Sequence, residues 1–254
     1  MIERRPLGST GIEVSALGLG TVKLGRSAGV KYPSPVRIPS DDEAMALLLA
    51  ARELGVNLID TAPAYGRSEE RLGVLLPAPR EDWVIVTKVG ESFDGERSMF
   101  DFTPEAIRAS VERSLVRLRT DRVECVLVHS DGEIESRLVG SGVLDALREL
   151  KSRGLARAVG VSTKTAAGAE LAIAHTDVVM LALSPQRQEE LPSIECARDG
   201  GVGVLIKKAL ESGHASDPRS AVRFAARTPG VSSVVVGTTS IAHLRDLAGA
   251  LELD

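Results

Sequence analysis

Apolar residues follow two alternating patterns along this chain. Short β-branched runs, such as residues 83–88, predict buried strands, while segments with apolar residues three and four positions apart predict helices. The predicted strands cover residues 17–21, 56–60, 83–88, 123–129, 156–162, 178–183, 203–207 and 233–236. The predicted helices cover residues 41–55, 69–76, 103–118, 142–154, 165–174, 192–199, 218–227 and 241–251. Each predicted strand is therefore followed by a helix.

This alternation predicts an α/β fold with a parallel sheet. Eight strand-helix units favour a closed (β/α)8 TIM barrel; an open doubly wound sheet is the alternative, although no GxGxxG motif follows the first strand. The residues before Leu17 predict an N-terminal β-hairpin with its turn at 8–11, placed to plug one end of the barrel. Because barrels commonly reach the length of this chain, we expect one domain over residues 1–254.

Composition argues against several classes of partner and location. The formal net charge is −4 and the basic residues are scattered, so nucleic acid is not an expected partner. No segment approaches the roughly 18 apolar residues of a membrane span, and we expect a cytoplasmic protein without membrane contact. Cys125 and Cys196 have no CxxC spacing, which predicts buried reduced thiols and no metal site. Without heptads, we expect a monomer.

Charged residues end three successive predicted strands. Asp60, Lys88 and His129 each follow an apolar run, and Tyr65 lies one short loop after Asp60. Taken singly, a strand-end aspartate is often a helix cap and a lone histidine is often a core residue. Because the carboxyl ends of barrel strands meet at one rim, where barrel enzymes place their active sites, the four together predict a catalytic site.

At these residues the chain resembles the aldo-keto reductase superfamily, whose members carry an Asp, Tyr, Lys and His tetrad at the carboxyl ends of barrel strands. The segment 60–66, Asp-Thr-Ala-Pro-Ala-Tyr-Gly, resembles the family signature, and residues 5–21 resemble its opening hairpin and first strand. Residues 160–162 and 236–240 resemble later cofactor segments. The chain ends at Asp254 and resembles short bacterial members without a long C-terminal tail, so we expect a pocket open on that side.

The resemblance implies an NAD(P)(H)-dependent oxidoreductase that transfers a hydride between nicotinamide and the carbonyl or alcohol of an aldehyde, ketone or sugar. Tyr65 would be the general acid and base. An isolated phenol has a pKa near 10, so Tyr65 needs a nearby cation to favour its ionised form, and Lys88 would supply it. Asp60 would hold Lys88, and His129 would point an N–H at the substrate oxygen. NADP(H) is the expected cofactor, and NAD(H) stays open.

Further positions correspond to the cofactor contacts of the family. They are Gly20, Thr21, Ser162, Thr163, Lys207, Gly237, Thr238, Thr239, Ser240 and His243. Gly20 and Thr21 would lie beside the nicotinamide, and Ser162 and Thr163 beside its carboxamide. Residues 237–240 would present N–H and hydroxyl groups to a phosphate, or would serve as a simple helix cap.

Four departures from the family pattern concern the cofactor. Thr163 replaces the usual Asn, and Met180 replaces the usual Gln. Lys207 stands where the family commonly has an aromatic residue, and His243 stands where many relatives have Arg. With Lys208, Lys207 either reaches a cofactor phosphate or is a solvated strand-end charge. These departures keep open a nucleotide-binding regulatory or scaffold protein with little turnover.

A third hypothesis is a barrel isomerase or lyase in which Lys88 forms a Schiff base, which requires that Asp60 does not hold the amine charged. For a reductase, substrate selection is expected in two loops. These are residues 26–40, with Tyr32, and residues 89–102, with Phe93, Phe100 and Phe102.

Overall fold

The structure is a computed structural model that describes residues 1–33 and 35–251. Two positions named in the sequence predictions lie outside the described residues. They are Ser34, in the predicted substrate loop 26–40, and Asp254, at the end of the sequence. Among the described residues, none of the helices combines the length and the apolar character needed to cross a membrane.

The strands confirm the closed barrel. In chain order they are β1 (Arg4–Pro6), β2 (Glu13–Ser15), β3 (Leu17–Gly20), β4 (Leu58–Asp60), β5 (Val84–Val89), β6 (Glu91–Phe93), β7 (Ser98–Phe100), β8 (Val123–His129), β9 (Ala156–Ser162), β10 (Val178–Ala182), β11 (Gly203–Lys207) and β12 (Val231–Val236). Strands β3, β4, β5 and β8 to β12 pair in parallel and in sequence order, and β12 returns to β3. The open sheet is therefore ruled out.

The helices lie between the barrel strands. They are α1 (Val22–Gly25), α2 (Asp41–Glu53), α3 (Ser68–Leu75), α4 (Pro104–Leu118), α5 (Val143–Ser152), α6 (Ala166–His175), α7 (Leu191–Asp199), α8 (Pro218–Arg227) and α9 (Ile241–Gly249). The short helix α1 was not predicted, whereas α2 to α9 were. Local signals explain their starts: Ser40 and Glu43 form a capping box at α2, and Thr103 caps α4.

The N-terminal hairpin plugs the amino-terminal end of the barrel. Strands β1 and β2 pair antiparallel, and Leu7, Ile12 and Val14 pack among the side chains inside the barrel. Gly8 lets the turn approach the barrel closely, because its φ is +56° and an added Cβ would lie 2.3 Å from the backbone nitrogen of Gly203. The predicted plug is confirmed.

The barrel divides the buried apolar residues into two cores. One lies inside it, and the larger one lies between the strands and the surrounding helices. Cys125 belongs to the inner core, as expected, but Cys196 on α7 is exposed, so the expectation of two buried thiols is wrong for Cys196. A helix buries only one face, and Cys196 lies on the solvent side of α7.

The carboxyl ends of the strands form one rim, which the register fixes. Gly20 pairs with Asp60 and His129 pairs with Ser162 across neighbouring strands. Beside this rim, β6 and β7 form an antiparallel hairpin where the sequence predicted only a loop. The hairpin brings a second layer of polar side chains to the rim.

We expect the plug to contribute to the stability of the whole barrel. Leu7→Ala should lower the free energy of unfolding by about 2 to 4 kcal/mol, because Leu7 is completely buried inside a barrel end that cannot collapse around a smaller side chain. Urea unfolding followed by circular dichroism measures this. Leu49→Ala on α2 is the matched control, since Leu49 is 44% exposed and should cost well under about 1 kcal/mol. Equal losses for both variants would contradict the plug's role.

Candidate active site

The two-residue period of the strands brings polar groups into the barrel. Apolar side chains inside the barrel include Leu58, Val86, Leu127 and Leu205. Two positions later on the same strands stand, respectively, Asp60, Lys88, His129 and Lys207. Residues two apart on a strand face the same side, so these four side chains lie above the inner core at the carboxyl-terminal rim.

Asp60 and Lys88 form a buried ion pair. Lys88 Nζ lies 2.5 Å from Asp60 Oδ1 and donates a second hydrogen bond, 3.0 Å long, to the carbonyl oxygen of Thr61. Both side chains are almost fully removed from water, at 2% and 5% exposure. Because a buried charge requires a partner, each residue supplies the counter-charge of the other.

Tyr65 stands directly beside this pair. Its hydroxyl lies 3.5 Å from Asp60 Oδ2, and Lys88 Nζ lies 4.8 Å from the centre of its ring. Burial, followed by the charges of Asp60 and Glu91, raises the pKa of Tyr65 well above its ordinary value. The geometry therefore does not support the expectation that Lys88 lowers this pKa, because burial and the two carboxylates raise it.

His129 completes the predicted group of four. Its ring lies edge-on to the ring of Tyr65, with the centres 6.2 Å apart. His129 Nδ1 lies 2.6 Å from Glu91 Oε2, within ion-pair distance but without the alignment of a good hydrogen bond. Burial lowers the pKa of His129, and Glu91 opposes this shift.

A cavity of about 290 Å³ opens onto these residues. Its lining includes Asp60, Tyr65, His129, Ser162 and Lys207. Lys88 lies beneath the lining, where it contacts Asp60. The sequence prediction that the four residues of the tetrad come together is therefore matched by the geometry.

A second cavity, of about 510 Å³, continues from the first. Its lining includes Arg37, Thr238, Thr239, His243 and Asp246. Lys23, Tyr32, Leu210, Gly213 and Gly237 line both cavities. The two cavities therefore form one continuous groove from Tyr65 to His243, and its narrow part passes Tyr32, since a Cβ on Gly237 would lie 3.1 Å from the Tyr32 hydroxyl.

Lys207 points into the groove. Its Nζ donates to Ser162 Oγ at 2.8 Å and to the carbonyl oxygen of Thr163 at 2.6 Å. Burial, with the charges of Lys208 and Lys88, lowers the pKa of Lys207 to about 7. It is thus not a solvated strand-end charge. Lys208 is exposed and lines the first cavity.

Three of the predicted cofactor contacts do not line the groove. The Thr21 hydroxyl donates to the carbonyl oxygen of Asp60 and accepts from Ser68, so Thr21 supports Asp60 from behind. Thr163 is buried behind Ser162, and its Oγ1 has no partner. Ser240 caps α9 by accepting from the N–H of His243, which confirms the helix-cap alternative for this residue. The other predicted contacts line one cavity or both.

The two predicted substrate loops have different neighbours. Residues 26–40 line the second cavity through Tyr32, Pro33 and Arg37, opposite Thr238 and His243. Residues 89–102 instead contain the β6–β7 hairpin, and Arg26 stacks on the ring of Phe93 at 3.6 Å. Sequence reasoning missed the contact of Glu91 with His129, because no periodic signal marks two three-residue strands.

Groups of His, Cys, Asp and Glu that could hold a metal ion are absent from the described residues.

Comparisons with known proteins agree with this geometry. The model of the aldo/keto reductase family matches residues 16–220. L-galactose dehydrogenase of Arabidopsis thaliana is 29% identical over 297 residues, covering 100% of this chain and 89% of that protein. NADH-specific methylglyoxal reductase of Escherichia coli is 31% identical over 228 residues, covering 84% and 68%. A crystal structure of a protein assigned as an aldo-keto reductase of Pseudomonas aeruginosa is 52% identical, with a TM-score of 0.88 and coverage of 98% and 95%.

The buried ion pair should be essential for stability. Asp60→Ala should lower the free energy of unfolding by about 3 to 5 kcal/mol, because it leaves the Lys88 ammonium buried without a counter-charge. The double variant Asp60→Ala/Lys88→Met should recover most of this loss in urea unfolding. Asp145→Ala, which breaks an exposed ion pair with Arg148, should change stability little. A double variant as unstable as the single one would contradict this account.

Proposed function

This chain belongs to the aldo/keto reductase family, and on that premise we propose that it is an NAD(P)(H)-dependent oxidoreductase. It transfers a hydride between a nicotinamide and the carbonyl or alcohol group of a small aldehyde, ketone or sugar. The observation that carries the proposal is the convergence of Asp60, Tyr65, Lys88 and His129 at one end of a groove formed by two adjoining cavities of about 290 and 510 Å³. Relatives named for galactose and methylglyoxal support the substrate class.

Tyr65 is the proposed proton donor to the substrate oxygen. Its raised pKa keeps the phenol protonated at neutral pH, as a general acid requires. Asp60 and Lys88 hold the ring in place and prevent a net charge from building up beneath it. His129 contacts the same oxygen from the other side of the cavity, where it stabilises developing charge.

The residues at the first cavity fit a nicotinamide carboxamide. Ser162 Oγ and Lys207 Nζ, which lie 2.8 Å apart on the cavity lining, supply the polar groups. When bound, the nicotinamide supplies or accepts the hydride. Gly20, Ser162 and Lys207, which line the first cavity, would hold it there.

Lys207 compensates for the departure at Met180. Met180 packs inside the barrel and has no polar hydrogen to donate. Lys207 Nζ lies instead at Ser162 Oγ and at the Thr163 carbonyl, where it can donate to a carboxamide oxygen. We therefore assign Lys207 to the carboxamide rather than to a phosphate.

The second cavity fits the adenosine half of the cofactor, with only a weak preference for NADP(H). Arg37 and His243 are available for a 2′-phosphate. However, Arg37 is 75% exposed and already paired with Glu43 at 2.7 Å, and Asp246 lines the same cavity. An exposed guanidinium that already pairs with a carboxylate adds little binding energy for a 2′-phosphate, so both NADPH and NADH should bind.

The Schiff-base hypothesis loses its basis in this geometry. Lys88 Nζ is held by Asp60 and by the Thr61 carbonyl, and it does not face the cavity as a free amine. Nucleophilic attack requires the neutral amine, which the carboxylate of Asp60 disfavours. The scaffold hypothesis is decided by the turnover measurement and the cofactor titration below.

Tyr65→Phe should abolish most turnover while cofactor binding is retained. Loss of the proton donor should lower kcat for aldehyde reduction by about 10²- to 10⁴-fold. The measurement combines NADPH or NADH oxidation at 340 nm, a wavelength at which only the reduced cofactor absorbs, with a fluorescence titration of cofactor affinity.

The matched control for this experiment is Tyr32→Phe. Tyr32 is the other of the two tyrosines of the chain and lies at the narrow part of the groove, where Lys23 Nζ is 4.0 Å from the centre of its ring. The kcat of Tyr32→Phe should stay within about tenfold of the wild-type value, because this variant loses a hydroxyl that is not the proposed proton donor. Full activity of Tyr65→Phe would overturn the proposed function.

Lys207→Met should lower the affinity for NADPH and for NADH by the same factor, about tenfold, because both cofactors contain the carboxamide. Arg37→Ala should lower the affinity for NADPH and leave that for NADH unchanged. In the wild type, the affinity for NADPH should exceed that for NADH by less than about tenfold. Titration of cofactor fluorescence measures all three values. Cofactor binding without turnover of any carbonyl substrate would favour the scaffold hypothesis, and binding of neither cofactor would overturn the oxidoreductase.

A further inference from the structure

Glu91 is a buried carboxylate beside the candidate active site that does not belong to the predicted tetrad. It lies on β6, and its side chain is 11% exposed. Its Oε2 lies 2.6 Å from His129 Nδ1, while its Oε1 accepts from Ser98 Oγ at 2.5 Å. Arg26 approaches Oε1 to 3.7 Å. The carboxylate thus has a separate partner on each oxygen.

These contacts hold Glu91 rigidly and in its ionised form. Arg26 is itself fixed, because it donates to the carbonyl oxygen of Ala64 at 3.0 Å and stacks on Phe93. Although burial raises the pKa of Glu91, its contacts with His129, Ser98 and Arg26 outweigh burial and leave this pKa well below its ordinary value. The hairpin therefore presents a permanent negative charge to one edge of the His129 ring.

This charge determines which nitrogen of His129 carries the proton. The contact is not aligned as in a good hydrogen bond, but at 2.6 Å a lone pair on Nδ1 would be repelled by the carboxylate oxygen, so the proton of the neutral ring is favoured on Nδ1. Nδ1 is buried against Glu91, whereas the residue lines the cavity. The opposite edge, with Nε2, therefore faces the substrate and carries a lone pair while the ring is neutral.

The expectation that neutral His129 points an N–H at the substrate oxygen is thus not supported. An Nε2–H exists only in the imidazolium form, which the carboxylate of Glu91 favours. Lys88 on β5 and Lys207 on β11 disfavour that form, and Tyr65 is neutral. Among these groups Glu91 is the one that stabilises a proton on His129.

We propose that Glu91 is a positioning residue that holds the Nδ1 proton of His129. The other ring nitrogen, Nε2, is then free to exchange a second proton with the substrate oxygen, which in turn exchanges a proton with Tyr65. This inference rests on the proposed function.

The proton balance of a reduction is as follows. The carbonyl carbon receives the hydride, and its oxygen receives the phenol proton of Tyr65. The new hydroxyl then passes a proton back to Tyr65 while it accepts the Nε2 proton of His129. Neutral Tyr65 and neutral His129 remain, and oxidation of an alcohol runs the same steps in reverse.

The first test measures the tautomer of His129 without cofactor or substrate. In ¹⁵N-histidine-labelled protein, NMR distinguishes the two nitrogens of each of the four histidines, and His129→Asn assigns the signal. Wild-type protein should show the Nδ1–H tautomer. Glu91→Gln should retain it, because the amide oxygen still accepts, whereas Glu91→Leu should lose it.

Glu124→Leu is the matched control for structural damage. Glu124 is also buried, is paired with Arg80 at 3.0 Å and accepts from the N–H of Ile85, but it lies at the opposite end of the barrel. Its loss should leave the His129 tautomer unchanged. An Nε2–H tautomer in the wild type, or an unchanged tautomer in Glu91→Leu, would overturn the proposal.

The second test measures the pH dependence of kcat for carbonyl reduction. Reduction requires a protonated His129, so the rate should fall as the pH rises through the pKa of His129. Because Glu91→Gln removes the charge that favours the imidazolium, this fall should move to lower pH, while Glu124→Gln should not move it. Coincident profiles of Glu91→Gln and wild type would overturn the proton role, even with the tautomer confirmed.

These two tests separate the inference from the proposed function. Absence of turnover with every carbonyl substrate would refute the proposed function and the proton role with it. The tautomer measurement would still decide whether Glu91 positions His129, because it uses the protein alone.

Discussion

The buried ion pair between Lys88 and Asp60 is the constraint on which the rest of the site depends. Removing two charges from water is costly, and their attraction offsets this only in good geometry with further hydrogen bonds. The fold supplies these bonds from neighbouring strand ends, since Thr61 accepts from Lys88 and Thr21 donates to the backbone of Asp60. Strands β3, β4 and β5 must therefore keep their register for the pair to form.

The same pair sets the chemistry of its neighbours. Burial, followed by the negative charges of Asp60 and Glu91, raises the pKa of Tyr65 well above its ordinary value. Lys88 is committed to Asp60 and does not reverse this shift. This differs from the expectation drawn from residue types alone, in which a nearby lysine favours the phenolate. Residue types identify partners, but the balance between their charges depends on distances that the sequence does not contain.

The fold and the tetrad were predictable because each rests on a repeated signal. Eight strand-helix alternations define the barrel, and the two-residue strand period places Asp60, Lys88 and His129 above an apolar layer. The same period could have predicted the inward direction of Lys207, two residues after Leu205. The β6–β7 hairpin was not predictable, because its strands of three residues have no period to detect and its stability comes from tertiary contacts such as that of Arg26 with Phe93.

Charges at this rim are generally paired, and Lys207 shows what happens where the partner is neutral. Within the described residues, Lys88 contacts Asp60, and Arg26 and His129 share Glu91, but Lys207 donates only to the hydroxyl of Ser162 and the carbonyl of Thr163. Burial of this ammonium, together with the like charges of Lys208 and Lys88, outweighs the more distant carboxylates and lowers its pKa to about 7. Two of the three N–H donors of Lys207 are thus in use, and a carboxamide oxygen in the groove would give the third donor an acceptor. The groove therefore suits a neutral polar group at this lysine, because the fold already holds the amine with uncharged acceptors.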